Sequence, residues 1–165
     1  MKKILTLIAA VAIGAIAFAQ VNITKVDKVA PTDEIFMDMA VTAAQQAIAS
    51  GQKAAGAVVI LNGAWKATGT PSATATAEEN AITKSRRTNL AGASIYTVNQ
   101  PTTAALNAIM KAGVDVVFFV NPSSDAVAAG VYPAEAYDPA GLDTTLTPVP
   151  VMQLHYAPAT QLLKK

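Results

Sequence analysis

The residues of this chain whose types could do chemistry gather in two short stretches, TATAEENAI at 74–82 and YTVNQPTTAALNAI at 96–109. The first holds adjacent carboxylates, Glu78 and Glu79, a pairing that in a suitable site performs acid and base work. Neighbours on a helix point about 100° apart, so the two do not face one site, and one of the pair is expected in solvent. His155 is the single histidine; it lies far along the chain from Glu78 and is expected at the surface or in packing. The KSRR run at 84–87 sits at the end of a predicted helix, where cations complement the helix dipole, which outweighs an anion patch. Ser123, Ser124 and Asp125 read as a turn or helix cap, with no serine–histidine–acid arrangement available. Trp65 and Tyr96 read as strand residues engaged in packing.

Composition excludes several classes. With no cysteine there are no disulfides, thiolate metal sites, cysteine nucleophiles or lipid-modified cysteine. Residues 1–19 have the form of a secretory signal peptide: a basic MKK, an apolar ILTLIAAVAIGAI, and a small-x-small AFA before Gln20. The apolar run is shorter than the ~20 residues a membrane-spanning helix needs, so no membrane span is expected after cleavage, and the protein is expected to be exported, periplasmic or secreted. Loss of Lys2 and Lys3 from 12 basic residues leaves 10 against 11 acids, a net charge of −1. That balance offers no electrostatic footprint for nucleic acid or anionic lipid. At 52% hydrophobic residues, the chain can still bury a core without disulfides.

The elements that must position these residues follow from periodicity. After a polar lead at 20–31, residues 32–165 read as one domain. TDEIFMDMAVTAAQQAIASG predicts a helix capped by Thr32 or Asp33 and ended by Gly51, with Phe36, Ala40, Ala43, Ala44, Ala47 and Ile48 on its core face. Two short apolar runs joined at Asn62-Gly63 predict a β-hairpin over 56–69. A Gly/Pro/Ser loop at 69–73 leads to a helix over 76–87. A strand over 93–98, a helix over 102–113 closed by Gly113 and a strand over 114–120 then suggest a parallel crossover. The last strand is almost continuously apolar, which suits a sheet covered on both faces. Residues 121–150 read as mostly loop with a short helix near 123–129, and the C-terminal segment as a final short helix. The sum is an α/β domain, a three-layer α/β/α sandwich with a central mixed sheet.

This order of elements, together with TAEENAI and YTVNQPTTAA, resembles the cytidine-deaminase-like superfamily, closest to its guanine deaminase and tRNA adenosine deaminase branch. There the hairpin precedes an H-A-E-x-N-A-I helix, and the next strand carries Y-T-x-x-x-P-C-x-x-C, the zinc deaminase signature. The frame agrees in register at Ala77, Glu78, Asn80, Ala81, Ile82, Tyr96, Thr97 and Pro101. The similarity covers roughly residues 33–165. The family's zinc ligands fall on Thr76, Thr102 and Ala105. Its substrate-contacting asparagine falls near Pro71, and an aromatic before the hairpin glycine falls on Ala55. Glu78 stands at the place of the proton-shuttling glutamate. The resemblance therefore implies a pocket at Thr76, Glu78, Thr102, Thr103 and Pro71, with Glu78 hydrogen-bonded among the threonines. It also implies a homodimer packed through the alanine-rich helix at 102–112.

The same correspondence implies that zinc is lost, because alcohols are poor zinc ligands and alanine offers none. Zinc lowers the pKa of bound water from about 15.7 to about 7, so its loss costs roughly eight orders of magnitude in hydroxide, about 11 kcal/mol. A lone general base recovers only about 10² to 10⁴. Three functions remain open: a non-catalytic exported protein that binds a small molecule or protein partner, a hydrolase rebuilt around Glu78, and a purely structural envelope protein.

Overall fold

The structure, a computed structural model, describes residues 21–164. The expected signal peptide lies outside the described residues. A six-stranded sheet runs in the order β1-β6-β5-β4-β2-β3. Its strands are β1 (Ile23–Val26), β2 (Ala57–Leu61), β3 (Ala64–Gly69), β4 (Ala93–Asn99), β5 (Val116–Asn121) and β6 (Val151–Leu154). The first four in spatial order, β1, β6, β5 and β4, pair in parallel, whereas β2 is antiparallel to both β4 and β3. The helices are α1 (Pro31–Ala49), α2 (Ala77–Lys84), α3 (Thr103–Ala112), α4 (Ser123–Ala128) and α5 (Ala157–Gln161). This is the expected mixed-sheet α/β/α domain.

Strand alternation sorts the core into two layers. Val58, Ile60, Tyr96, Val98 and Leu154 face α1 and α5, packed with Met37, Ala40, Val41 and Leu162. Ala57, Val59, Ile95, Val117, Phe119 and Val151 face α2 and α3, packed with Ala77, Ala81, Leu106 and Ile109. Because both faces are covered, β2 is buried along its whole length, which explains its unbroken apolar run. Asn62 and Gly63 take φ of 52° and 74°, the left-handed pair that a two-residue hairpin turn requires. Gly113, at φ 74°, ends α3.

Four expectations are corrected. Residues 20–31 are more than a polar lead: Ile23–Val26 form edge strand β1, so the Asn62-Gly63 hairpin supplies the second and third strands, not the first two. Val151–Leu154, in the C-terminal segment expected as a final short helix, form β6 between β5 and β1, and the helix follows as α5. Neither Thr32 nor Asp33 caps α1; Ala30 holds that position without a side-chain bond, Pro31 begins the helix, and Ala30 O accepts from the N–H groups of Asp33 and Glu34. Asp33 instead accepts from Tyr96 Oη at 2.6 Å. Finally, Met37 and Val41 occupy the core face of α1, while Ile48 is 37% exposed and Phe36 is half-buried with its ring 5.3 Å from that of Tyr96.

Candidate functional site

Two helix N-termini and the carboxyl end of β4 meet around one cavity of about 690 Å³. Thr76, Glu78, Thr102, Pro71 and Ala55 all line it, so the structure brings together most of the predicted pocket. The segment 131–136, within the stretch expected to be loop, closes another wall with Val131, Tyr132 and Pro133.

Each helix start is fixed by local chemistry. Thr76 Oγ1 accepts from Glu79 N at 3.2 Å, and Glu79 Oε2 accepts from Thr76 N at 2.8 Å, a reciprocal capping box that begins α2. Thr102 Oγ1 accepts from Ala105 N at 3.1 Å and caps α3 through this single bond. Asn80 Nδ2 donates to Thr70 O at 2.8 Å and ties α2 to the preceding loop.

Glu78 is 6% exposed. Thr97 Oγ1, from the face of β4 opposite Tyr96, donates to Glu78 Oε1 at 2.5 Å. Burial raises the Glu78 pKa above the ordinary carboxyl value. Hydrogen bonds from Thr97, its own backbone N–H and Thr76 oppose that rise, and the neighbouring Glu79 adds to it. The donor to Glu78 is thus Thr97, which carried no such expectation; of the expected threonines only Thr76 acts on its charge. Thr103 lies outside the cavity lining: it donates to Asp138 O at 2.9 Å and accepts from Asp138 N at 2.7 Å, fastening the 131–141 segment to α3. Glu79, expected in solvent, is half-buried in the capping box.

Three further site residues carried no expectation. Asn99, 2% exposed, donates to Ala54 O at 2.8 Å and accepts from Asn121 Nδ2 at 3.1 Å. Tyr132 donates to Gln100 O, and burial followed by the charge of Glu78 keeps its phenol neutral far into the alkaline range. Lys53, exposed at the cavity rim, donates to Gly130 O at 3.0 Å. Thr97 was legible in principle: strand alternation puts it on the α2 side once Tyr96 is assigned to the α1 side. Tyr132 has no local signal at all.

The remaining candidates stand apart. His155 is exposed and borders a separate cavity of about 480 Å³ with Lys25, Asp27 and Asp125. Ser123, Ser124 and Asp125 form the first turn of α4 without capping it; the position before them is Pro122. Lys84 closes the last turn of α2, as expected. Tyr96 packs as expected, stacked 4.7 Å from Phe118, but Trp65 is 54% exposed on edge strand β3.

The donor set does not fit zinc. At the three positions that the resemblance assigns to ligands, two neutral hydroxyls are engaged as helix caps and the third side chain, Ala105, is a buried methyl group. Among the described residues, no group of three or more His, Cys, Asp or Glu is placed to hold a metal.

Over residues 30–121 the chain matches the family described as the cytidine and deoxycytidylate deaminase zinc-binding region. Comparison with curated protein sequences gives no match. Among solved structures, guanine deaminase from Bacillus subtilis is 32% identical over 59% of this chain and 69% of its own, with a TM-score of 0.55. Guanine deaminase from Nitrosomonas europaea is 20% identical over 83% of this chain and 84% of its own, with a TM-score of 0.64. A structure from work on A-to-I editing by tRNA:A34 deaminases is 21% identical over 78% of this chain and 98% of its own, with a TM-score of 0.63. The family match runs from the cap of α1 to the last residue of β5, more than half of the sequence, and takes in both stretches that build the cavity. By that extent, and by its fold, the chain belongs to the cytidine and deoxycytidylate deaminase zinc-binding family.

Proposed function

We propose that this chain is an exported, non-catalytic member of its family that uses the inherited cavity to hold a small molecule. The observation that carries this reading is the cavity of about 690 Å³, open to a ligand while two of the three positions assigned to zinc serve as helix caps and the third is a methyl group. Its volume falls in the range of small-molecule sites, and its mixture of apolar walls with a few convergent polar groups is typical of them. Two similar structures are guanine deaminases, so nucleobases are the first ligands to try.

The test uses the mature protein from an exported fraction. Its mass should correspond to a chain beginning at Gln20, and after dialysis against a chelator its zinc should be far below one per chain. A nucleobase at about 100 times its Kd stabilises the folded state by about 2.7 kcal/mol, which a thermal-shift experiment reads as several degrees in Tm. Stoichiometric zinc that survives the chelator would overturn the proposal. Light scattering on the same sample decides whether the chain forms the homodimer implied by its relatives.

A second reading, a hydrolase rebuilt around Glu78, is favoured by the raised pKa of that buried carboxyl, since a general acid or base works best with a pKa near the working pH. Deamination that disappears in Glu78→Gln would establish it. Absence of any binding or turnover would leave the structural role.

A further inference from the structure

We infer that the ligand of this cavity is a small organic cation, presenting an amidinium, guanidinium or ammonium group to Glu78. This rests on the binding role proposed above and names its ligand class.

Charge in the cavity is unbalanced. Among the described residues three charged side chains line it: Glu78, Glu79 and Lys53, two carboxylates against one ammonium. Lys53 is exposed at the rim and already donates to Gly130 O, so solvent screens it. One oxygen of Glu79 is held by the capping box. Glu78 is 6% exposed, and the groups acting on its charge are hydroxyls, a backbone N–H and another carboxylate, with no cation among them. The neighbouring positions that the resemblance assigns to zinc are neutral, so no positive charge from that side offsets it. A buried carboxylate in this state is costly to ionise, and an opposite charge within a few ångströms is the most effective remedy. A ligand cation supplies that charge together with hydrogen bonds about twice as strong as neutral ones, and an amidinium or guanidinium can bind both carboxylate oxygens. A neutral ligand leaves the charge deficit in place.

Proton balance gives the inference a second signature. Where Glu78 carries its proton before binding, uptake of a cation drives that proton into solvent, so affinity rises with pH across the titration of Glu78. Among the described residues the other titratable groups facing the cavity are Glu79 from α2, Tyr132 from the 131–136 segment and Lys53 from the segment after α1; β4 lines it with the neutral Asn99 and meets Glu78 through the neutral Thr97.

Benzamidine and benzamide share a shape and differ in charge, which makes them suitable probes. Titrated calorimetrically into the mature chain near neutral pH, benzamidine should bind at least about tenfold more tightly than benzamide. The preference should collapse in Glu78→Gln and grow in Lys53→Ala, which removes the opposing ammonium. Proton release on benzamidine binding, read from buffers of different ionisation enthalpy, should vanish in Glu78→Gln. Equal binding of the two probes, or a preference that survives Glu78→Gln, overturns the inference while leaving a neutral-ligand cavity intact. If neither probe nor any nucleobase binds, the binding role itself falls with it.

Discussion

Replacing Gly69 with alanine should cost this protein about 3 kcal/mol, the upper end of what overpacking inflicts. A Cβ placed on Gly69 would lie 1.9 Å from Ala77 O and 2.5 Å from Ala81 N, both backbone atoms of α2. Backbone cannot swing aside as a side chain does, so α2 as a whole must move off β3. That displacement would carry the Thr76 cap and Glu78 with it and loosen the cavity. Gly63→Ala is the informative control. Its φ of 74° makes a side chain strained, yet nothing lies within 4 Å, so only a backbone cost of about 1 kcal/mol is expected. A chemical denaturation series should therefore rank Gly69→Ala well below Gly63→Ala, with a loss for Gly69→Ala of roughly 6–12 °C in Tm. Equal losses at the two sites would mean that α2 can shift without cost and that the strand–helix contact does not hold the site.

What could be seen in the sequence was what local chemistry decides. The hairpin follows from Asn62-Gly63, the end of α3 from Gly113, and β5 from an apolar run too continuous for a one-sided strand. What was not seen depends on partners remote in the chain. β1 pairs with β6 across more than a hundred residues, Ile23 with Val151 and Val26 with Leu154, and three of the four β1 residues are exposed. Four residues of that kind have no periodicity to read. The site divides in the same way. The capping box was legible, since Thr76 and Glu79 have the required spacing, but a resemblance that marks Thr76 as a metal position directs attention away from its simpler role. Thr103 falls within the pocket that the resemblance implies, but its tie to Asp138 depends on where a long irregular segment folds back. Tyr132 reaches the cavity by the same segment.

Glu78→Gln should make the protein more stable, and only above a certain pH. The folded-state pKa of Glu78 is raised above its unfolded value of about 4.5, chiefly by burial. The folded protein therefore holds the Glu78 proton more tightly than the unfolded chain does. The stabilisation this gives is complete below the unfolded pKa and is lost as pH rises through the folded pKa. Glutamine is neutral at every pH and has nearly the same shape, and its amide oxygen can accept from Thr97 Oγ1 as the carboxyl does. At pH 4 the two proteins should melt together. As pH climbs through the titration of Glu78, the wild type should fall behind, by on the order of 1–2 kcal/mol or a few degrees of Tm once the carboxyl is ionised. Thr97→Val should push in the other direction, since it removes the hydroxyl that most favours the charged form and leaves the buried carboxyl short of a partner. Its deficit against wild type should widen with pH, and the double variant should recover most of the loss. A carboxylate that costs the fold stability where glutamine would not is what the proposed ligand role requires. Should Glu78→Gln instead destabilise the protein uniformly from pH 4 to pH 9, the carboxyl would be part of the fold's own bonding, and the case for a ligand at this site would have to stand without it.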